Sequence, residues 1–397
     1  MKTSISREEL EEDRYSRLRL IPWWDQQKLA RSRVLVVGAG ALGNEILKNL
    51  ALLGVRRVVV VDMDRIELTN LSRSILYRSD DVGKLKAEAA AASYRALLAD
   101  AMVQPLVASI TTECGLGIFD WADVVIAGLD NREARLWINR AAWKMNRPWI
   151  DGAIEGINGV VRVFLPGQTP CYECTLGEVD WAILERRMSC NLLAHREDAA
   201  GKVPTTPTIS SIIAGIEVQE AVKLVHGLPV LAGRGFVFEG LNHTSYPVSY
   251  SENPECMSHY TLPELVRLPE SSMEWTLDGL LERVRADLAS KDAVIEFSRD
   301  VIHRLQCVTC GWSEDRFAAL GSVHWDEGVC ARCGARAVVE SLHGYSGDAA
   351  LGARHLHELG LPLFDVFVGR SEQREIGYLI DGDREAVLGA AAKEMES

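Results

Sequence analysis

Along the first 160 residues, short runs of purely apolar residues alternate with longer stretches in which apolar positions recur every three or four residues. Residues 33–37 read Arg-Val-Leu-Val-Val. A run this short, without a polar face, is the pattern of a strand buried on both sides. Glycines follow at once, then a helical stretch over 41–53, a stop at Gly54, and a second apolar run over 58–61. The pattern then continues with an Ala-rich helix over 84–98, a strand over 101–107, and an apolar strand over 123–127 that ends in Gly128-Leu129-Asp130. A helix over 132–145 and a strand over 148–150 complete this series. Strands and helices in strict alternation predict an α/β fold with a parallel, doubly wound sheet. From residue 159 to 165 the period changes to two, so antiparallel strands join the sheet and make it mixed. The residues before the first strand, 5–30, read as an amphipathic helix.

The rest of the chain is less regular. Residues 166–205 carry Gly, Pro, Cys and charge and predict a long functional loop. Thr206 is an N-cap, Pro207 opens a helix that runs to residue 225, and Gly227 ends it. Two closing strands lie at 236–238 and 245–250. Residues 263–274 read as a linker. A smaller α+β unit follows over 275–397, and its Ala/Glu-rich tail after Gly389 is expected to fray.

Composition narrows the function. The net charge of −13 disfavours nucleic-acid binding, because phosphate contacts need clustered Lys and Arg. Residues 1–10 are polar and lack a signal-peptide core, and no run reaches the ~20 apolar residues of a membrane span. These features point to the cytoplasm. Most of the nine cysteines fall in C-x-x-C or C-x-x-H pairs, which in that compartment indicates metal binding and not disulfides.

Chemistry is concentrated after the first strand. Gly38-Ala39-Gly40-Ala41-Leu42-Gly43 is a G-x-G-x-x-G loop between a strand and a helix. Asp62 stands at the end of the next strand, where an acid would bind a ribose. Taken alone, the loop indicates a dinucleotide and hydride transfer. The following residues redirect the reading: Asp62-Met-Asp64, then Asn70 and Arg73, then Lys86, then Asp130-Asn131-Arg132. Hydride transfer has no use for cations and a distant carboxylate around one phosphate loop. Nucleotidyl transfer does, because triphosphate and departing pyrophosphate need neutralising charge and an acid that holds magnesium.

In this order the motifs, together with Arg14-Tyr-Ser-Arg17 and Leu129-Asp130-Asn131, resemble the ThiF/HesA/MoeB family, which includes the ubiquitin-activating enzymes. The resemblance covers roughly residues 8–260. It implies a Rossmann-like adenylation domain over 1–262 that uses ATP and Mg2+. Asp62 would bind the ribose, Asn70, Arg73 and Lys86 the triphosphate, and Asp130 the magnesium. Arg14 would reach the triphosphate of the opposite subunit in a homodimer. The substrate would be a ubiquitin-like protein whose C-terminal glycine carboxylate is adenylated. A non-catalytic adaptor of the same fold is the contrasting class, and the presence of Arg73, Lys86 and Asp130 together argues against it.

The resemblance also bears on the cysteines. Family members place two C-x-x-C pairs around one structural zinc, at positions that match Cys171, Cys174, Cys256 and His259 here, with histidine in the fourth place. Zinc accepts three thiolates and one imidazole. Cys190 lies in the segment that crosses the nucleotide site in ubiquitin-activating relatives, where a cysteine takes the acyl group as a thioester. Arg186 and Arg187 would lower its pKa. Sulfur transfer and simple packing are the other two roles open to it.

Cys307-Val-Thr-Cys310 and Cys330-Ala-Arg-Cys333, each followed by glycine, have the spacing of a zinc ribbon over 307–333. This makes a second Zn2+ site. The ribbon lacks a basic cluster, so a structural or protein-docking role is expected. No reactive-cysteine loop follows residue 334, which favours hand-over of the activated protein to a conjugating enzyme. Activation of a sulfur carrier for thiamine, molybdopterin or tRNA thiolation is the alternative within the family.

Overall fold

A computed structural model describes residues 13–182 and 204–393. Eight strands form the larger sheet: β1 (Arg33–Val37), β2 (Arg57–Val61), β3 (Met102–Leu106), β4 (Val124–Ala127), β5 (Trp149–Glu155), β6 (Asn158–Phe164), β7 (Arg234–Glu239) and β8 (Thr244–Ser249). Their order is β3-β2-β1-β4-β5-β6-β7-β8. The first five are parallel, and β6 to β8 are antiparallel. The predicted mixed, doubly wound sheet is thus present.

The apolar runs are buried on both faces, as parallel strands require. Val34, Val36, Val58 and Val60 meet the helices α2 (Ala41–Leu53), α3 (Lys86–Leu97) and α6 (Pro207–His226). Leu35, Val37, Val59 and Val61 face the other way, toward α4 (Gly117–Trp121) and α5 (Arg132–Lys144). The same layer includes Phe364, Val366, Leu379, Leu388 and Ala391 from the far end of the chain.

A second, six-stranded sheet comprises β9 (Leu265–Leu268), β10 (Val294–Gln306), β11 (Ser313–Ala319), β12 (Val338–Tyr345), β13 (Val366–Arg370) and β14 (Glu375–Ile380). Helix α7 (Leu277–Asp287) packs on it through Leu277, Leu280, Leu281 and Val284. The expected α+β unit is therefore there, with the ribbon inserted between β10 and β12.

Three local expectations change. Residues 5–30 do not form one helix. Among the described ones, a 3-10 turn spans Leu18–Leu20 and α1 is confined to Gln26–Arg31. Pro22 holds Ile21 extended, and the Asp25 carboxylate caps the new start by accepting from Gln27 and Lys28 N–H. The segment read as a linker supplies β9, which pairs in parallel with β14. Its short apolar run is a strand because a partner edge is available. The tail after Gly389 packs instead of fraying up to residue 393. Ala391 is fully buried, and its carbonyl accepts from Arg57 Nη2 at 3.2 Å.

Candidate active site

The glycine loop closes against three strand ends. Gly38 N–H donates to the Val61 carbonyl at 2.8 Å, and Gly128 N–H to the Val37 carbonyl at 3.0 Å. Gly38 has φ +93°, and a Cβ there would lie 2.6 Å from the Gly128 carbonyl oxygen. Only glycine fits such an approach. A Cβ on Gly40, by contrast, would meet nothing within 4 Å. The loop is therefore open on the side from which a phosphate would approach the first turn of α2.

Of the expected site residues, Asp62 is bonded directly to this loop, and Asp64 and Lys86 are linked on from it. Asp62 directly follows β2, and its carboxylate accepts from Ala39 N–H at 2.7 Å and Asp64 N–H at 2.8 Å. Burial raises its pKa, with Lys86 pulling the other way. Lys86 is the first residue of α3, and its ammonium pairs with Asp64 at 2.7 Å. The lysine is mostly buried while Asp64 is largely exposed. An incoming phosphate can therefore take over the lysine without stranding a buried acid. Asn70 caps its own turn by accepting from Glu67 N–H at 2.9 Å. Arg73 follows, and its guanidinium donates to the Thr69 carbonyl at 2.8 Å. Asp130 is exposed beside Gly128, next to the α5 N-cap Asn131. An exposed carboxylate suits magnesium, which binds through one or two carboxylates and keeps its waters. Arg14 donates to the Leu97 carbonyl of its own chain at 3.0 Å.

A buried network that the sequence did not reveal lies beneath the Asp130 turn. Arg135 donates to Asp151 at 2.7 Å, to the Gly152 carbonyl at 3.1 Å and to the Leu129 carbonyl, so it fixes the residue before Asp130. Arg162 also pairs with Asp151. Burial opposes the Asp151 charge, yet the two guanidiniums hold its pKa below the usual range. Glu217 of α6 packs against Gly152, is fully buried, and neither carboxylate oxygen has a hydrogen-bond partner. Burial, reinforced by Asp151 and opposed by Arg135, pushes its pKa well up. A raised acid binds its proton more tightly in the folded state. Its contribution to stability is therefore complete below the unfolded value of about 4.3 and is lost as pH rises through the folded one. Glu217→Met is expected to raise the melting temperature clearly at pH 8 and hardly at pH 5. Thermal scans at the two pH values check this, and an equal gain at both would contradict it.

Both cysteine clusters assemble. Cys171 Sγ lies 3.7 Å from Cys174 Sγ and 3.5 Å from Cys256 Sγ, and Cys174 Sγ is 3.4 Å from His259 Nε2. In the ribbon, Cys307–Cys333 and Cys310–Cys330 are each 3.5 Å apart. Tetrahedral zinc with ~2.3 Å Zn–S bonds needs sulfurs about 3.7 Å apart, so both donor sets fit the ion. The His259 ring stacks on Trp143 at 5.0 Å, and its Nδ1 is 3.5 Å from Glu252. Such outer partners orient a metal-bound imidazole, and neither was evident from spacing. Metal analysis is expected to give two zinc ions per chain, and Cys171→Ser to give one. Two zinc ions in that variant would exclude Cys171 as a ligand.

Cys190, Arg186 and Arg187 lie outside the described residues. The described flanks of their segment are held at α5 and at the turn after β5. Asp180 pairs with Arg132 at 2.8 Å, two residues from Asp130. On the return, Gly156 N–H donates to the Pro204 carbonyl at 2.6 Å, and Thr206 N–H to the Gly156 carbonyl at 3.2 Å. No helix among the described residues is long and apolar enough to cross a membrane.

Comparison with known proteins places this geometry. A sulfur carrier protein adenylyltransferase of Thermus thermophilus is 32% identical over 266 residues, which is 63% of this chain and 91% of that one. The SAMP-activating enzyme E1 of Haloferax volcanii is 33% identical over 58% of this chain and 81% of its own. The NEDD8-activating enzyme E1 catalytic subunit of Arabidopsis thaliana is 42% identical over 157 residues, and the chain spans only 34% of its length. Among solved structures, E. coli MccB with ATP superposes with a TM-score of 0.52 at 22% identity, over 63% of this chain and 75% of MccB, a likeness of fold. The ThiF family model matches residues 13–258, well over half of the chain, and the chain belongs to the ThiF family.

Proposed function

We propose that this chain is an E1-like adenylyltransferase. It would activate the C-terminal glycine of a ubiquitin-like protein with ATP, pass the acyl group to Cys190 as a thioester, and hand it to a conjugating enzyme. The observation that carries the adenylation reading is the convergence of Asp62, Lys86, the Arg73 turn and Asp130 on one glycine loop at the ends of β1, β2 and β4. Members named for activating ubiquitin-like or sulfur-carrier proteins, matched over most of their length, support the same substrate class.

In the first step a carboxylate oxygen of the substrate attacks the α-phosphorus, and the bond to pyrophosphate breaks. The products are an acyl adenylate and pyrophosphate. No side-chain nucleophile is needed, so the protein contributes positioning and charge. Lys86 and Arg73 would neutralise the triphosphate, and Asp62 would hold the ribose. Magnesium, held by Asp130, would supply further charge neutralisation. In the second step the Cys190 thiolate attacks the acyl carbon and AMP leaves. The pairing of Asp180, just before the Cys190 segment, with Arg132 near Asp130 supports this assignment.

A homodimer and recruitment of the conjugating enzyme by the C-terminal unit belong to the same proposal. The exposed Leu68 and Ile75 near Arg73 offer apolar surface for the dimer. Activation of a sulfur carrier is the second reading, favoured by the 91% coverage of the Thermus thermophilus adenylyltransferase. Intact mass of the enzyme with MgATP and its ubiquitin-like protein separates the two. A thiol-sensitive adduct that disappears in Cys190→Ala is expected. Pyrophosphate release without an adduct would overturn the thioester step and favour the sulfur-carrier reading.

A further inference from the structure

Ala39, inside the glycine loop, is bonded on both its N–H and its carbonyl. Its N–H donates to Asp62 at 2.7 Å. Its carbonyl accepts from Asn44 Nδ2 at 2.7 Å and from the Tyr77 hydroxyl at 2.6 Å. Both side chains are buried: Asn44 is 0% exposed and Tyr77 5%.

Tyr77 reaches onward to the backbone of Lys86, and Asn44 to the chain just beyond Arg73. The Asn44 Oδ1 accepts from Leu76 N–H at 2.9 Å, three residues beyond Arg73. The Leu76 carbonyl is held on its other side by Ser93 at 2.6 Å. The Tyr77 hydroxyl also lies 3.3 Å from the carbonyl of Lys86, and Lys86 N–H donates to the Asp64 carbonyl at 2.9 Å. The Arg73 turn and the start of α3 thus have no independent position. Their backbones are registered to the loop through two buried side chains. Buried, fully bonded polar networks of this kind fix one arrangement, because any other leaves a polar group unpaired.

We propose that Asn44 and Tyr77 are positioning residues of the nucleotide site: Asn44 sets the Arg73 turn and Tyr77 sets Lys86 against the glycine loop, so that both cations meet the phosphates beyond the first. The inference rests on the adenylation reading. It makes the two residues responsible for the preference for a triphosphate over a monophosphate, because adenosine and the α-phosphate would be held by Asp62 and the loop. A merely structural role would weaken every nucleotide alike.

The test is calorimetric titration of the full-length chain with MgATP and, separately, with AMP. Tyr77→Phe keeps the ring and removes one hydroxyl. It is expected to weaken MgATP about fivefold, the worth of one buried neutral hydrogen bond, and to leave AMP within about twofold. Lys86→Ala should show the same selectivity, and the double variant should bind MgATP no worse than Lys86→Ala, since contacting residues that act through one group are not additive. Asn44→Ala is paired with Arg73→Ala in the same way, and Tyr77→Phe carries the test if Asn44→Ala does not fold. Equal losses for MgATP and AMP, or additive losses in the double variant, would overturn the inference. A wild-type chain that binds neither nucleotide would overturn the adenylation reading instead.

Discussion

Asp130→Ala and Arg73→Ala are each expected to reduce ATP–pyrophosphate exchange, measured with the ubiquitin-like substrate, by a factor of at least 10²–10³, the usual cost of removing one preorganised charge from a transition state. The fold should be unaffected. Asp130 is exposed, and the Arg73 guanidinium donates to the Thr69 carbonyl of its own turn. Neither side chain lies in an apolar core, and surface substitutions of this sort move stability by about ±0.5 kcal/mol. The melting temperature therefore serves as the control. Full exchange in either variant would refute the assignment of that residue. Loss of exchange with a falling melting temperature would mean that the side chain holds the loop and does no chemistry.

Removal of the C-terminal unit should have an equally large effect, on stability. A chain ended at residue 262 loses Phe364, Val366, Leu379, Leu388 and Ala391, all buried in the layer that covers Leu35, Val37, Val59 and Val61. At roughly 1.5–3 kcal/mol for each large apolar side chain and less for the alanine, this amounts to about 6–13 kcal/mol, comparable with the whole stability of a typical domain. Polar contacts are lost as well. Arg299 donates to the Thr111 carbonyl at 3.0 Å and the Cys114 carbonyl at 2.7 Å and sits 4.6 Å over the Trp137 ring of α5. Asp365 accepts from Leu116 N–H at 2.8 Å. We expect the shortened chain to be insoluble or to lose cooperative unfolding. A truncated protein that melts at the parent temperature would show that the shared layer contributes nothing. Because α5 begins beside Asp130 and carries Trp143 under His259 in its last turn, the C-terminal unit, the zinc site and the ATP site all rest on one helix.

The sequence alone determined the features that depend on neighbours in the chain. Apolar runs over 33–37, 58–61 and 123–127 specify doubly buried strands, Thr206 and Pro207 start a helix, and glycines at 38, 40 and 43 allow a loop that phosphate can approach. The metal clusters were legible for the same reason, since a C-x-x-C knuckle is a local geometry. Two such pairs mark the ribbon, whereas the grouping of Cys171 and Cys174 with Cys256 and His259 was implied by the family resemblance. Tertiary structure decided what depends on a distant partner. Residues 265–268 are a strand only because the edge of β14 is present. Residues 389–393 pack only because the sheet offers an apolar face. Asn44 and Tyr77 look like an ordinary helix residue and an ordinary aromatic until the fold brings both to the Ala39 carbonyl. Glu217 reads as a solvated glutamate on a helix until α6 buries it against Gly152. A hydrogen bond or a desolvated charge depends on which atoms meet in space, and a sequence pattern reports only which residues are adjacent or share a face.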